Sequence, residues 1–492
     1  NFGNDINCWD VSAVQNMQFA YSNNGNSDNR SFENRIDCWD VSSVITFESM
    51  FEENLAFNGV ISGWDVSSAR TFESMFEASI FNGVISDWNV GSATSFAGMF
   101  LLSNFDRVIS NWDVSSAVTF ESMFKQSVFD RDINDWDVSS TTSFEGMFEL
   151  SFFDRDINDW DVSSAISFES MFEASVFDRD ISKWNVKSGT SFQSMFDSSA
   201  FERDISDWNV RSATSFESMF ESSVFDGDIS EWDVSSATSF EGMFLQSVFN
   251  GVIGDWNVSS ATSFENMFLL NRIFNGNISD WNVSSATSFE GMFGDSVFNR
   301  VISDWDVSSA TNFGGMFAEN SAFNRDINDW DVSSATSFEG MFGASVFNND
   351  ISDWDVSSAT SFKFMAIRSA FNRDINDWDV SSATSFEGMF QENLAFNRDI
   401  SKWNVKSGTS FQSMFELSVF NRDISRWNVK SGTTFKNMFL SAKKFQQNLC
   451  TWGKRMRNTA SVNSMFKNSG CVNKKTPTSP FAESKRFCET CE

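Results

Sequence analysis

The hydrophobic positions of this chain recur every 24 or 25 residues along almost its whole length. A tryptophan marks each recurrence, and the nineteen tryptophans run from Trp9 to Trp452. Only the first step, from Trp9 to Trp39, departs from this spacing by more than one residue. A fixed period in this range is typical of a solenoid, in which each repeat forms one coil and buries its apolar face against its neighbours.

The first half of each coil has the hydrophobic pattern of a strand. We number positions from the tryptophan, which is position 0 of its coil. Around Trp232, residues 231–234 alternate polar and apolar side chains, which predicts a short strand with one buried face. A Phe at −7 recurs in all nineteen coils, and an Ile at −3 recurs in all but the last, where Leu449 replaces it.

The second half of each coil has the spacing of a helix. Phe240, Met243 and Phe244 lie at i, i+3 and i+4, and Thr238 with Glu241 has the form of a capping box. We therefore expect an α/β solenoid, a right-handed coil with a parallel β-sheet on one face and short helical turns on the other. The extra residue of the 25-residue coils should lie in the return loop, where an insertion is tolerated.

The repeat resembles a known family. Ile229-x-x-Trp232-x-Val234-x-x-Ala237 has leucine-rich-repeat spacing, and the pattern F-N-x-D-I-x-x-W-D-V-S-S-A-T-S-F-x-x-M-F, from Phe371 to Phe390, resembles the BspA-like leucine-rich-repeat surface proteins. The family often has Val at +5 and Met at +8, where this chain mostly has Ala and Phe. The resemblance extends to about Phe466. It implies a leucine-rich-repeat-like fold and an adhesive or other surface role.

We expect three segments: an open N-terminal coil and polar loop (1–30), the repeat solenoid (31–439), and a terminal coil with a basic, Cys-containing C-terminal cap (440–492). From Ser441 onward there are ten Lys or Arg against three acidic residues. The whole chain has a net charge of −32. The two ends therefore differ in sign of charge.

Composition argues against several functions. The acidic balance argues against a nucleic-acid partner. The chain has no histidine, which removes the commonest general base and the commonest nitrogen ligand for metals. No apolar run approaches the roughly 20 residues of a membrane span. We therefore expect no catalysis, no nucleic acid and no membrane insertion within this segment.

The cysteines lie only at the two ends of the chain and suggest disulfides in an oxidising compartment, hence an extracellular or cell-surface protein. Cys8 and Cys38 each precede a Trp in successive coils, and strands about 4.8 Å apart would allow a bridge between them. A half zinc site at Cys488 and Cys491 is the weaker alternative. The cysteines are Cys8, Cys38, Cys450, Cys471, Cys488 and Cys491. Glycosylation sequons lie at Asn29, Asn257, Asn277 and Asn282.

Acidic residues flank the tryptophan column at −1 and +1, and Glu recurs at +9. A solvated face is the simplest interpretation, weakly bound Ca²⁺ is a sharper one, and a glycan or protein ligand is comparably possible. No other cofactor is expected. The cation candidates are Asp135, Asp137, Asp159, Asp161, Asp304, Asp306, Asp329 and Asp331. In three coils the charge is reversed, by Lys183, Lys187, Lys402, Lys406, Arg426 and Lys430.

We expect a secreted structural or interaction protein that assembles head to tail with other copies of itself, into an extracellular filament or surface layer. The motivation is an uncapped first coil with opposite charge at the two ends. The self-association candidates are Phe2, Ile6, Trp9, Lys474, Lys475, Lys485 and Arg486. The alternative is a monomeric cell-surface adhesin that binds a glycan or a protein along its acidic face.

Overall fold

The structure is a computed structural model that describes residues 6–23, 35–484 and 486–491. It contains two compact units. Unit 1 comprises Asn1–Ala237 and Ser247–Phe249, and unit 2 comprises Thr238–Gln246 and Asn250–Glu492. Both units repeat the same coil, so the prediction of a repeat protein is confirmed.

The core of each unit consists of stacked aromatic columns. The rings of Trp64 and Trp88 have centroids 6.4 Å apart, and those of Phe72 and Phe96 are 5.7 Å apart. Every tryptophan from Trp39 to Trp452 is at most 5% exposed. Burying such a side chain stabilises the fold by about 1.5–3 kcal/mol. The hydrophobic positions therefore form a periodic aromatic core, as their spacing predicted.

The indole N–H groups connect successive coils. Trp88 donates its Nε1–H to the carbonyl of Ile61 at 3.0 Å, and Trp354 donates to Ile327 at 2.9 Å. An unpaired buried N–H would cost about 1–3 kcal/mol. This bond explains why position 0 is tryptophan, whereas the other aromatic columns use phenylalanine, which has no polar atom to satisfy.

The expected sheet face is absent from the described residues. Two turns replace the strand: Trp88 N–H bonds to Ile85 O at 3.2 Å, and Ala93 N–H bonds to Val90 O at 2.8 Å. Strand-type pairing between the described coils is limited to isolated parallel bridges at +7, such as Ser95 with Thr119. The amides of the two turns bond within their own coil, so the pairing does not extend from the bridge into a ladder. The alternating burial of residues 231–234 is nevertheless present.

The predicted helical turns are β-turns. Met123 N–H bonds to Phe120 O at 3.0 Å, and Ser122, the third residue of this turn, has φ of 53° as in a type II turn. Alternate amides in this segment point to the next coil: Phe120 N–H bonds to Ser143 O at 3.1 Å and Ser122 N–H to Glu145 O at 2.7 Å. Consecutive turns thus produce the i, i+3, i+4 spacing without a helix.

The capping-box prediction is also wrong. Thr262 donates its hydroxyl to the carbonyl of Thr238 in the preceding coil at 3.2 Å. The amide of Glu265 instead donates to the hydroxyl of Ser263 at 3.3 Å. The Thr column therefore connects coils and does not cap a helix.

The extra residue of several 25-residue coils lies in the return loop, where a buried Asn replaces the usual Ser. The Asn320 side-chain oxygen accepts the amides of Ala322 at 2.9 Å and Phe323 at 2.7 Å. In 24-residue coils a shorter side chain suffices, as where Ser345 accepts the amide of Phe347. The longer Asn side chain thus spans the added residue.

The last coil is closed by a small cap. It contains helix α1 (Cys450–Gly453), a 3-10 helix (Phe481–Glu483) and the antiparallel strands β1 (Arg486–Phe487) and β2 (Glu489–Thr490). Phe481 and Phe487 are buried, and Leu449 N–H bonds to Phe487 O at 3.2 Å. At the other end of the chain, a 3-10 helix spans Ile6–Cys8.

Candidate interaction surfaces

The acidic side chains at +1 accept hydrogen bonds from residues of their own coil. Asp137 Oδ1 accepts the amide of Ser139 at 3.0 Å and its hydroxyl at 2.6 Å, which is an Asx-turn. These bonds, with the hydroxyl the larger cause, lower the pKa of Asp137. The same turn lowers the pKa of Asp331. The +1 carboxylates therefore stabilise turns.

The cation candidates form no metal-binding cluster in the described part of the chain. Within the described residues, no group of three or more carboxylates or thiols could hold a metal ion. Asp159 pairs with Lys183 at 2.7 Å, and Asp304 accepts the hydroxyl of Ser303 at 3.0 Å. The −1 and +1 side chains lie on either side of a buried tryptophan and are exposed to solvent. The structure therefore gathers no three of the cation candidates into one group, and weak Ca²⁺ binding stays a prediction for Asp135, Asp137, Asp159, Asp161, Asp304, Asp306, Asp329 and Asp331.

A column of arginines at −5 was not identified from the sequence. In unit 1 four of these arginines bind the Asp at −6 of the preceding coil, as in Arg155–Asp130 at 2.7 Å, whereas Arg107 donates to the carbonyl of Asn82. Asp130 raises the pKa of Arg155. In unit 2 position −6 is Asn, and Arg373 Nε donates to the Asn348 carbonyl at 2.6 Å. The recurring Asp-Arg and Asn-Arg dipeptides were the signal that could have revealed it.

These columns line one groove in each unit. The unit 1 groove has a volume of about 710 Å³ and includes Arg155, Arg179, Arg203 and five aspartates. The unit 2 groove has a volume of about 530 Å³ and includes Arg373, Arg398 and four aspartates. Such a surface can donate and accept hydrogen bonds at close intervals.

A second acidic column, at +13, is concentrated in unit 1. With the +9 glutamates it forms a double row of carboxylates on the turn segments. Burial raises the pKa of Asp197 to about 6, opposed by the Ser198 hydroxyl and assisted by repulsion from Glu221 and Glu173. Burial likewise raises the pKa of Glu145. This face carries repulsion that the turns do not relieve.

The lysines at −1 in the charge-reversed coils are paired. Lys183 binds Asp159, and Lys402 binds Asp377 of the preceding coil. Each contact raises the pKa of the lysine, chiefly through the hydrogen bond. These two lysines therefore neutralise their own neighbours. Lys187 and Lys406, at +3, are exposed.

The self-association candidates lie at both ends. Ile6 is buried, whereas Trp9 is 48% exposed. Lys474 and Lys475 are exposed in the cap, and Arg486 is partly buried in β1. Phe2 and Lys485 fall outside the described residues.

The C-terminal cysteines form two disulfides, Cys450–Cys491 and Cys471–Cys488. They tie α1 and the segment after Gly470 to the hairpin, which confirms end-stapling disulfides at this end and excludes the half zinc site. Cys38 is instead an exposed free thiol. The expected Cys8–Cys38 bridge is therefore corrected. Between these coils the Asn7 side chain accepts the Cys38 amide at 3.0 Å and donates to Asp37 at 3.2 Å, while the Cys8 side chain lies outside the described part.

Three sequon asparagines, Asn257, Asn277 and Asn282, are exposed. Asn257 and Asn282 accept the amide and hydroxyl of the sequon serine, so each lies in an Asx-turn. Asn29 falls outside the described residues. The three asparagines are accessible for glycosylation.

The repeats match the family model described as Mycoplasma protein of unknown function, DUF285. The matches span almost the whole chain and cover residues 1–103, 101–176, 153–248, 225–297, 294–370 and 362–479. The chain belongs to this family. A search of the curated proteins found no match.

Disulfides persist chiefly in oxidising compartments. Together with membership of the DUF285 family, the two disulfides suggest a surface or secreted protein. No helix in the described part of the chain is long and apolar enough to cross a membrane.

Proposed function

We propose that the protein is a secreted structural repeat protein whose copies associate head to tail into an extracellular filament or surface layer. The exposure of Trp9, in the described part of the chain, carries this proposal. Trp9 is 48% exposed, and its indole N–H has no acceptor among the described residues. In the next coil, Trp39 donates its indole N–H to the Ile6 carbonyl at 2.9 Å and is 5% exposed. Contact with a surface of another copy would bury Trp9, as the first coil buries Trp39.

Two general arguments support the proposal. Exposed apolar side chains and exposed backbone edges promote association between copies of a protein. A contact between two different surfaces of the same chain leaves each copy able to bind another, so growth continues. The resemblance to the BspA-like surface proteins supports a surface role for DUF285 repeats.

The test is electron microscopy and sedimentation velocity of the full chain across concentration, at low and high salt. We expect oligomers that grow with concentration and shorten in the variant Trp9→Asp. Phe152→Asp is the matched control, because Phe152 is also exposed, at 65%, but lies within the repeats of unit 1. Monomers at every concentration would refute self-assembly.

The second candidate function is a monomeric adhesin that binds a glycan. The observation that favours it is the unit 1 groove, where carboxylates and guanidinium groups alternate over about 710 Å³. Carbohydrate hydroxyls need such closely spaced donors and acceptors. Binding of a glycan by the monomer, reduced in Arg179→Ala, would support this function.

A further inference from the structure

The turn segments of the last two coils and the cap carry a cluster of lysines, here called the basic patch. All are exposed, and none forms an ion pair within the described residues, in contrast to Lys183 and Lys402. The basic patch comprises Lys436, Lys443, Lys444, Lys467, Lys474 and Lys475.

Backbone hydrogen bonds bring the basic patch together. Ser441 N–H bonds to Lys467 O at 2.8 Å, which places the segment before Lys443 beside the following turn. Gly470 N–H bonds to Ala442 O at 3.1 Å, and the Cys471–Cys488 disulfide anchors the chain that continues to Lys474. Several lysine side chains thus share one surface. Because their positive charges repel one another, binding of an anionic partner there is favourable.

The corresponding turn segments at the other end of the chain are acidic. Five glutamates on the coils of Trp39 and Trp64, here called the acidic rim, have no Lys or Arg partner within the described residues. They adjoin the first coil, since Gln18 donates to Glu48 at 2.5 Å. The acidic rim comprises Glu48, Glu52, Glu53, Glu73 and Glu77.

The chain itself shows how a lysine and a glutamate on neighbouring turn segments pair. Lys125 and Glu149 both lie at +13 in adjacent coils of unit 1, and their charged groups are 2.6 Å apart. Lys363 and Glu339 both lie at +9 in adjacent coils of unit 2, at 3.0 Å. The turn segment therefore supports such a pair at +9, where Lys436, Glu48 and Glu73 lie, and at +13, where Glu52 and Glu77 lie.

Each surface also has exposed apolar groups. Phe19 and Leu55 are 40% and 56% exposed beside the acidic rim, and Val472 is 73% exposed between the lysines of the basic patch. Protein interfaces combine apolar contacts with a charged periphery, whereas a small anion needs only the charge. A protein surface is thus the partner that fits best.

We propose that the basic patch of one copy docks on the acidic rim of a second copy. This inference rests on the self-association proposed above and names its two surfaces. Complementary charges steer such an encounter and set its salt dependence. Since each copy has both surfaces, the contact is heterologous and can repeat.

The test compares charge-reversed full-length chains by sedimentation velocity. Lys443→Glu with Lys444→Glu, and separately Glu73→Lys with Glu77→Lys, should each weaken association on the order of tenfold or more. A mixture of these two variants should form heterodimers that do not extend. A chain with all four substitutions should associate again, since the charges are exchanged. Lys187→Glu with Lys406→Glu is the control of equal net charge and should behave as the unchanged protein.

The outcomes separate the two proposals. If the unchanged protein associates and both reversed variants associate equally well, the basic patch and the acidic rim are not the interface, while self-assembly stands. If the unchanged protein is monomeric, self-assembly itself fails. If the unchanged protein is monomeric and binds vesicles containing phosphatidylserine, and the Lys443→Glu, Lys444→Glu variant does not, the partner is an anionic lipid and the inference is overturned.

Discussion

Replacing Asp197 by Asn should stabilise unit 1 at neutral pH. Asp197 lies in the double row of carboxylates, half-buried, with Glu173 and Glu221 at the same position of the adjacent coils. Burial raises its pKa from 3.8 to about 6, although the Ser198 hydroxyl donates to it at 2.8 Å. The folded protein therefore holds this carboxylate at a free-energy cost that an amide would not incur.

The magnitude follows from the pKa shift. Each pKa unit corresponds to 1.36 kcal/mol, so a carboxyl shifted from 3.8 to about 6 would cost about 3 kcal/mol in the absence of screening. Because Asp197 is only partly buried, solvent screening reduces this to about 1 kcal/mol. For a unit of this size, that difference raises Tm by about 2–4 °C.

The sign depends on pH. Below the unfolded pKa of 3.8 both states are protonated and Asp197 costs nothing. As pH rises, the unfolded chain loses its proton first, so the cost grows and is complete above about pH 6. Thermal unfolding of Asp197→Asn and of the unchanged protein should therefore differ at pH 7.5 and coincide at pH 3.5.

Asp137→Asn is the matched control with the opposite sign. The Ser139 hydroxyl and amide lower the pKa of Asp137, so its contribution to stability is present at neutral pH and lost as pH falls through that lowered pKa. This variant should be less stable at pH 7.5. The reasoning is refuted if Asp197→Asn gains no stability at pH 7.5, or if its gain persists at pH 3.5.

Three further predictions concern the core and the cap. Trp208→Phe should destabilise unit 1 by about 1–3 kcal/mol in urea unfolding, because the bond to the Ile181 carbonyl at 3.2 Å is lost, whereas Trp9→Phe should cost much less. Asn320→Ala should cost unit 2 about 1–3 kcal/mol by the same measurement, because two buried amides lose their acceptor; an unchanged midpoint would contradict this. Removing the Cys471–Cys488 disulfide should destabilise the cap by about 2–5 kcal/mol and speed tryptic cleavage after Lys475; unchanged cleavage would show that packing of Phe487 suffices.

The sequence predicted the core well and the backbone poorly. The columns of Trp, Phe, Ile, Val and Met are buried as their period indicated, and the added residue of the 25-residue coils lies in the return loop. The strand around Trp232 and the helical turn from Phe240 to Phe244 were wrong. Consecutive β-turns also place side chains alternately, or at i, i+3 and i+4, so these spacings did not distinguish turns from strands and helices.

The surface was predictable only in part. The sequence located the acidic columns but did not show the partner of each carboxylate. Asp137 bonds to its own turn, and Asp159 binds a lysine 24 residues away. Asp197 is repelled by the carboxylates of the adjacent coils. The Arg155 column was visible as a repeated dipeptide, but its pairing depends on which side chain of the preceding coil faces it. Charge alone did not show which groups are paired.

The sequence by itself determined the length of the coil and which side chains it buries, because apolar periodicity is a property of the chain. Only the tertiary structure decided how the backbone bonds. The partner of each inter-coil amide lies about 24 residues away, and the turns of the folded chain decide which amides face it. In the described residues these turns leave isolated bridges, a set of turn amides and the indole N–H groups to connect the coils, and no continuous sheet.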